Sequence, residues 1–205
     1  MSKHPDQLGF DALLADAEAT NRQRSLEAQS AHLPSDMASA VAYHREQIKR
    51  HHAAMLAGDF ENAIAIREEA HTLALKLNGF EHGILAGDDA PGCQLARSCA
   101  AQACQTPLWG QDGCFVLRIA GMETEVTMHG MFGIGARWSV SPGFEVRAVD
   151  QAKPFLSETG YRSFLGLSMP PKTGESIPDY VERALEQYIK LELAGKLVQI
   201  SNLGR

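Results

Sequence analysis

The sequence predicts an α+β protein: an N-terminal antiparallel helical hairpin, an antiparallel four-stranded sheet in meander order, and a C-terminal helix packed on that sheet. Three observations carry this prediction. Two apolar runs at helical spacing, 35–57 and 60–77, are separated only by Gly58-Asp59. Beyond residue 114 the apolar period shortens to two, as in strands with one covered face. Ser176-Ile177-Pro178-Asp179 has the form of a capping box ahead of a third helical run.

Composition bounds the class of protein. The 205 residues exceed the usual single-domain size without reaching two full domains. Apolar residues make up 44% and charged residues 21%, close to globular averages, which argues against disorder or a fibrous repeat. A net charge of −6 gives no general attraction to nucleic acid or anionic lipid. The first residues are polar and broken by Pro5, unlike a signal peptide, and no stretch approaches the roughly 20 apolar residues that span a bilayer. A soluble cytoplasmic protein is the expectation. Its four cysteines are then expected as reduced thiols, although an even count alone allows two disulfides.

Residues 1–34 open with a short amphipathic pattern, Leu8, Phe10, Leu13 and Leu14, turn polar, and end at Pro34, so they read as a loosely attached arm. Met37, Val41, Ile48 and Met55 recur at helical spacing in the first long run; Asn78-Gly79 closes the second with a left-handed cap, and so short a turn at Gly58-Asp59 makes the two helices antiparallel, forming a unit over 35–79. Residues 80–114 hold many glycines, prolines and aspartates, and read as loop with a short helix around 94–104.

Four strands are expected next, on Phe115, Leu117 and Ile119; Val126 and Met128; Ala136, Trp138 and Val140; and Phe144, Val146 and Ala148. Ala120-Gly121 and Ser141-Pro142-Gly143 supply turns, and Arg118, Glu123, Glu125, Thr127, Arg137, Ser139, Glu145 and Arg147 form a wet face. The capped helix continues to about residue 194 with Val181, Ala184, Leu185, Tyr188 and Ile189 toward the sheet, and Leu197, Val198 and Ile200 suit a last strand. The stretch 80–205 is expected to form one compact unit with the hairpin.

Several residues could carry chemistry. Positions 37, 41, 44, 48, 51 and 55 share one helical stripe, so His44 and His51 point inward; Glu68 and His71 stand one turn apart on the facing helix. Such donors can hold zinc, iron or manganese in a bundle core. Helix one adds only Glu46, off the stripe, and buried or boundary histidines with no cofactor are the simpler reading. The cysteines follow Cys93-x5-Cys99-x4-Cys104-x9-Cys114, in which only the middle interval suits structural zinc. Cys93, after Pro91-Gly92, could act as a nucleophile with His82 or His129, or be an ordinary thiol. Gly130, Gly133 and Gly135 lack the strand, helix and Lys-Ser/Thr context of a phosphate loop and read as a strand connection or a close backbone approach.

The stretch 154–166, PFLSETGYRSFLG, reads as a loop in which aromatic residues surround Glu158, Tyr161 and Arg162. Such a loop can bind a ligand or partner, or cap a sheet edge with Arg162 braced against Glu158 or Asp150. Arg45, Lys49, Arg50 and His52 form a basic cluster on helix one that suits phosphate or an acidic partner, or a plain solvated face.

Taken with WSVSPGFEVRAVD and LAGDFENAIAIREEAHTLALKLNG, the PFLSETGYRSFLG stretch resembles proteobacterial proteins of unassigned function, often carried on plasmids and integrative elements. The resemblance covers residues 40–170 and implies a bacterial cytosolic accessory protein, with no activity or ligand attached. The leading reading is therefore a non-enzymatic binding or interaction protein, with a protein partner, no membrane and nucleic acid disfavoured; homo-oligomerisation stays open. The alternatives are a metal-dependent enzyme on the histidine cluster and a small-molecule sensor with a pocket between sheet and helices.

Overall fold

A computed structural model describes residues 5–133 and 139–201. Five helices, α1 Pro5–Gln29, α2 Met37–Ala57, α3 Phe60–Leu77, α4 Pro91–Ser98 and α5 Ile177–Leu191, accompany strands β1 Gly113–Ile119, β2 Met122–Met128, β3 Phe144–Ala148 and β4 Tyr161–Phe164. The strands form one antiparallel sheet in the order β1-β2-β3-β4. The α+β class and the meander follow the sequence prediction.

The α2–α3 turn is made by two residues with opposite duties. Gly58 sits at φ 74°, a conformation glycine adopts without strain, and its N–H returns to Met55 O at 3.2 Å. Asp59 then caps α3 by accepting from Asn62 N at 3.2 Å. The helix pair buries the predicted stripe and fills it with Ala40, Ile48 and Met55 against Ala63, Ile66 and Ala70. Within the stretch 1–34, α1 ends at Gln29; Ser30 and Leu33 are buried, and Lys76 Nζ donates to both of their carbonyls, at 2.9 and 2.5 Å.

The short helix is displaced from its expected span. Proline is favoured in the first helical turn, so α4 opens at Pro91, inside the glycine-rich stretch, and stops before Cys99. Ala120 (φ 49°) and Gly121 (φ 79°) make a tight β1–β2 turn with both central residues left-handed, matching the strand twist.

Two strand assignments need correction. Most of the strand expected on Ala136, Trp138 and Val140 lies outside the described residues, and Ser139 and Val140 belong to no strand. The fourth strand is instead β4, inside the stretch read as a loop. Strand alternation places Arg162 and Phe164 on the helix side, where Phe164 stacks on Phe144 at 4.8 Å, and leaves Tyr161 and Ser163 on the other side. The last strand expected around Val198 is reduced to a single bridge to Phe155.

One side of the sheet is wet as predicted, with Arg118, Glu125 and Arg147 exposed; Phe115, Val126, Val146 and Phe144 face the helices. Trp109 ties the hairpin to α5. Its carbonyl accepts from His51 Nδ1 at 2.8 Å, its indole N–H donates to Glu175 O at 3.1 Å, and its ring meets Tyr180 edge-on at 5.5 Å. The glycine connection is a close approach: a Cβ on Gly130 would lie 2.7 Å from Gly110 O.

The capping box forms as predicted. Ser176 Oγ accepts from Asp179 N at 3.3 Å and donates to Asp179 Oδ2 at 2.5 Å. Ser176→Ala should therefore lower stability by about 1 kcal/mol with the fold retained. Urea denaturation followed by far-ultraviolet circular dichroism measures this, and an unchanged midpoint would remove the cap from the account of α5.

Candidate functional site

The side of α5 that does not face the sheet borders an apolar depression. Tyr180, Val181, Ala184 and Leu185 are buried, while the next stripe, Arg183, Gln187, Tyr188 and Leu191, looks sideways. After β4 the chain runs beside this stripe through Leu167, Met169, Pro170 and Pro171. Proline-rich backbone holds an extended course and has few N–H groups to pair, which suits a groove wall. The cavity between these walls measures about 590 Å³, and Leu191 on its lip is 64% exposed.

One ion pair holds the wall in place. Arg183 Nε and Nη2 donate to the two oxygens of Glu175 at 2.6 Å each, and Nη2 also donates to Pro170 O at 3.1 Å. Burial alone would raise the Glu175 carboxyl; the hydrogen bonds from Arg183 and from Lys172 N outweigh it and hold the group below its ordinary range. Arg183 is therefore neutralised, whereas Lys172, on the same cavity, has no ion-pair partner among the described residues.

Arg162 joins this groove and Tyr161 does not. The Arg162 guanidinium lies 4.9 Å from the centre of the Tyr188 ring, one of the lining residues. Tyr161, its neighbour on β4, points to the opposite face beneath Arg147 at 4.7 Å. The brace expected from Arg162 to Glu158 or Asp150 is absent among the described residues; Asp150 pairs with Lys153 at 3.6 Å. Glu158 is exposed in the turn before β4, and its carbonyl accepts from Ser201 N at 2.9 Å.

The basic cluster on α2 is divided. Lys49 pairs with Glu46 and Arg50 with Glu69, both at 2.7 Å, and Arg45 donates to Ser98 O at 3.2 Å across a polar depression that Lys49 also lines. Glu69 is also held by Tyr43 and Gln47.

The four residues considered as metal donors lie apart in function. His44 and His51 point inward as predicted, at 1% and 0% exposure. Both His51 nitrogens are engaged, Nδ1 donating to Trp109 O and Nε2 accepting from Arg67 Nε at 2.8 Å. His44 Nδ1 meets Gln47 Oε1 at 3.0 Å, and His71 Nε2 donates to Met131 O at 3.0 Å. The Phe132 ring lies against both His44 and His71, at 5.3 and 5.1 Å, and Glu68 is exposed. Among the described residues no group of three or more His, Cys, Asp or Glu side chains is placed to hold a metal ion.

Sequence reading passed over Arg183, Tyr188, Leu191 and the Pro170-Pro171 wall as site residues. A leucine on the polar side of α5 and a proline pair beside an aromatic strand were the available signals.

Residues 112–189, from the start of the sheet almost to the end of α5, match the KlcB third domain family. This stretch is similar to a KlcB domain. Nearly all of the groove lies inside this KlcB match, and the α2–α3 hairpin lies outside it. Two Escherichia coli proteins described as Protein KlcB are similar to the chain. One is 32% identical over 169 residues, 82% of this chain and 36% of the relative. The other is 33% identical over 163 residues, 79% of this chain and 37% of the relative. The chain thus spans little more than a third of the length of these KlcB relatives. No solved structure matches. No helix among the described residues is long and apolar enough to cross a membrane.

Proposed function

We propose that this chain is a protein-interaction module of a bacterial cytosol, an accessory factor of a mobile element, that binds an extended apolar peptide segment bearing an acidic residue. The observation behind this reading is the groove between α5 and residues 164–172, with Leu191 exposed on its lip and two cations, Arg162 and Lys172, left without carboxylate partners among the described residues. An apolar side chain of the partner would cover Leu191 and Met169, and its carboxylate would meet Lys172 or Arg162. The outer edge of β4, which among the described residues pairs with no strand but β3, offers the backbone groups of Ser163 to the same segment. The mobile-element setting rests on the sequence resemblance alone, and the bacterial one also on the Escherichia coli relatives.

The test uses a displayed pool of random peptides selected on the whole chain, followed by titration of the selected peptides. Enrichment of sequences that combine aliphatic residues with Asp or Glu is expected. Leu191→Asp, at an exposed position, should weaken them at least roughly tenfold, the loss of one well-buried contact of more than 1.4 kcal/mol. Arg162→Ala should weaken acidic peptides and spare neutral ones. Binding that ignores both substitutions in folded protein would overturn the assignment.

A further inference from the structure

A second cavity, of about 330 Å³, shares no residue with the groove and collects a thiol, an imidazole and carboxylates. Cys93 enters it from the first turn of α4, and His129 and Asp112 enter it from the open end of the β1–β2 hairpin. The register explains the second pair: Gly113 faces Met128, so the residues just outside the ladder, Asp112 and His129, are brought side by side. Asp112 Oδ1 accepts from Gly130 N and holds this end closed. Leu85, Ala96 and Phe132 complete an apolar part of the wall.

Three features set Cys93 apart from an ordinary surface thiol. Its helix start is held against the preceding loop: Gly92 N donates to Ile84 O at 2.9 Å, and a Cβ on Gly92 would lie 2.8 Å from that oxygen. The first turn of α4 has no side-chain cap, and its other donors are accounted for. Pro91 has no N–H, Gly92 N goes to Ile84 O and Gln94 N goes to Ala90 O, while the Cys93 N–H meets no acceptor among the described residues. His129, finally, is oriented by a second group, its Nε2 lying 3.3 Å from Glu145 Oε1 on β3. A carboxylate on Nε2 favours the tautomer that leaves Nδ1 with its lone pair, as a base requires.

We infer that Cys93 and His129, with Glu145 positioning the imidazole, form a thiol acyl-transfer site for carboxylic esters or amides. His129 Nδ1 takes the proton from Cys93 Sγ as the sulfur attacks the carbonyl carbon. The carbonyl oxygen becomes an oxyanion that the backbone N–H of Cys93 can receive. The C–O or C–N bond breaks, the leaving group carries off the proton from His129, and an acyl thioester remains on Cys93. Water then gives a proton to His129 and attacks the thioester; the acid leaves and the thiol regains the proton. No oxidant or cofactor enters the balance.

The experiment treats the whole chain with p-nitrophenyl acetate, follows release of p-nitrophenolate, and locates the acetyl group by peptide mass spectrometry. Cys104 and Cys114 are exposed and serve as internal reference thiols. The expected result is a burst equal to the chain concentration, with acetyl on Cys93 ahead of Cys104 and Cys114. Cys93→Ser should abolish the burst, and the double variant Cys104→Ser/Cys114→Ser should keep it. His129→Gln should slow acylation of Cys93 by roughly a hundredfold or more, and Glu145→Gln should alter the pH profile of acylation. Acetyl shared evenly among the three thiols, or a His129→Gln variant with native circular dichroism and unchanged acylation, would overturn the inference. If His129→Gln fails to fold, the ordering of the three thiols in the unsubstituted chain decides alone.

Discussion

Arg67→Ala is expected to cost roughly 3–5 kcal/mol of stability, as removal of one partner from a buried charged network does, out of the roughly 5–15 kcal/mol that holds a domain of this size. Arg67 is 3% exposed on α3, at a position one turn from both Ala63 and Ala70. Its Nε donates to His51 Nε2 at 2.8 Å, Nη1 donates to Ser139 O, and Nη2 lies 3.9 Å from Met55 Sδ. Burial brings the guanidinium down to about 10, yet it keeps its charge at neutral pH. Truncation leaves the buried His51 lone pair and the half-buried Ser139 carbonyl without these donors, and adds a cavity. Arg67→Lys should recover little, because one ammonium on a flexible stem lacks the planar fork that reaches both acceptors. Arg67→Met combined with His51→Leu should be less damaging than the sum of the single changes, since both halves of the polar contact then disappear together. Urea unfolding of these five variants, the two single changes of the pair included, measures this. A loss below about 1 kcal/mol for Arg67→Ala would place the residue among merely tolerated buried charges.

Arg67 also marks where the sequence stops being legible. The stripe on α2 placed His44 and His51 inward from spacing alone, because helical periodicity is a local property. The partner of His51 comes from the facing helix, and nothing in the spacing of α3 separates a buried arginine from a solvated one. Metal donors were considered where an arginine and two carbonyls satisfy the imidazoles. The hairpin turn and the α5 cap were readable for the opposite reason: Gly58, Asp59 and Ser176 act on neighbours within four residues.

β4 fails the same local test. Its four residues place Arg162 on the covered side, where the guanidinium stacks over Tyr188, a contact 26 residues away that no period can reveal. The alternation therefore looks broken, and the strand reads as a loop with binding residues. Arg162 stands beside the groove through Tyr188, and strand alternation itself removes Tyr161 to the other face. The groove wall at Met169, Pro170 and Pro171 is positioned by Arg183 and Glu175, again a tertiary pairing. For the second cavity the types were legible, because Cys93 and His129 were already paired in the sequence reading. Glu145 entered only with the β2–β3 register.

Acid should weaken the fold well before its carboxylates titrate. Burial, reinforced by the charge of Arg67 and of nearby His52, pushes His51 down from 6.5 to about 3, while the Trp109 carbonyl acts in the opposite sense. Burial also lowers His44 and His52. In the unfolded chain these imidazoles titrate near 6.5, so below that pH the unfolded state takes up protons that the folded state refuses. The stabilisation is therefore complete above pH 6.5 and declines as pH falls, at about 1.4 kcal/mol per pH unit for His51 alone, until the folded group itself titrates. In the face of burial, Glu69 is held below 4.5 by hydrogen bonds from Tyr43, Gln47 and Arg50, and Glu175 by Arg183, so their contribution is lost only at lower pH. The window from pH 6.5 to 4.5 thus isolates the histidines. Unfolding midpoints in urea should fall steadily across it, and a His51→Gln variant, although less stable at pH 7, should show a slope shallower by about one proton. A flat profile in the unsubstituted chain would mean that His51 accepts its proton while folded, and the contact from Arg67 Nε to His51 Nε2 could not then persist.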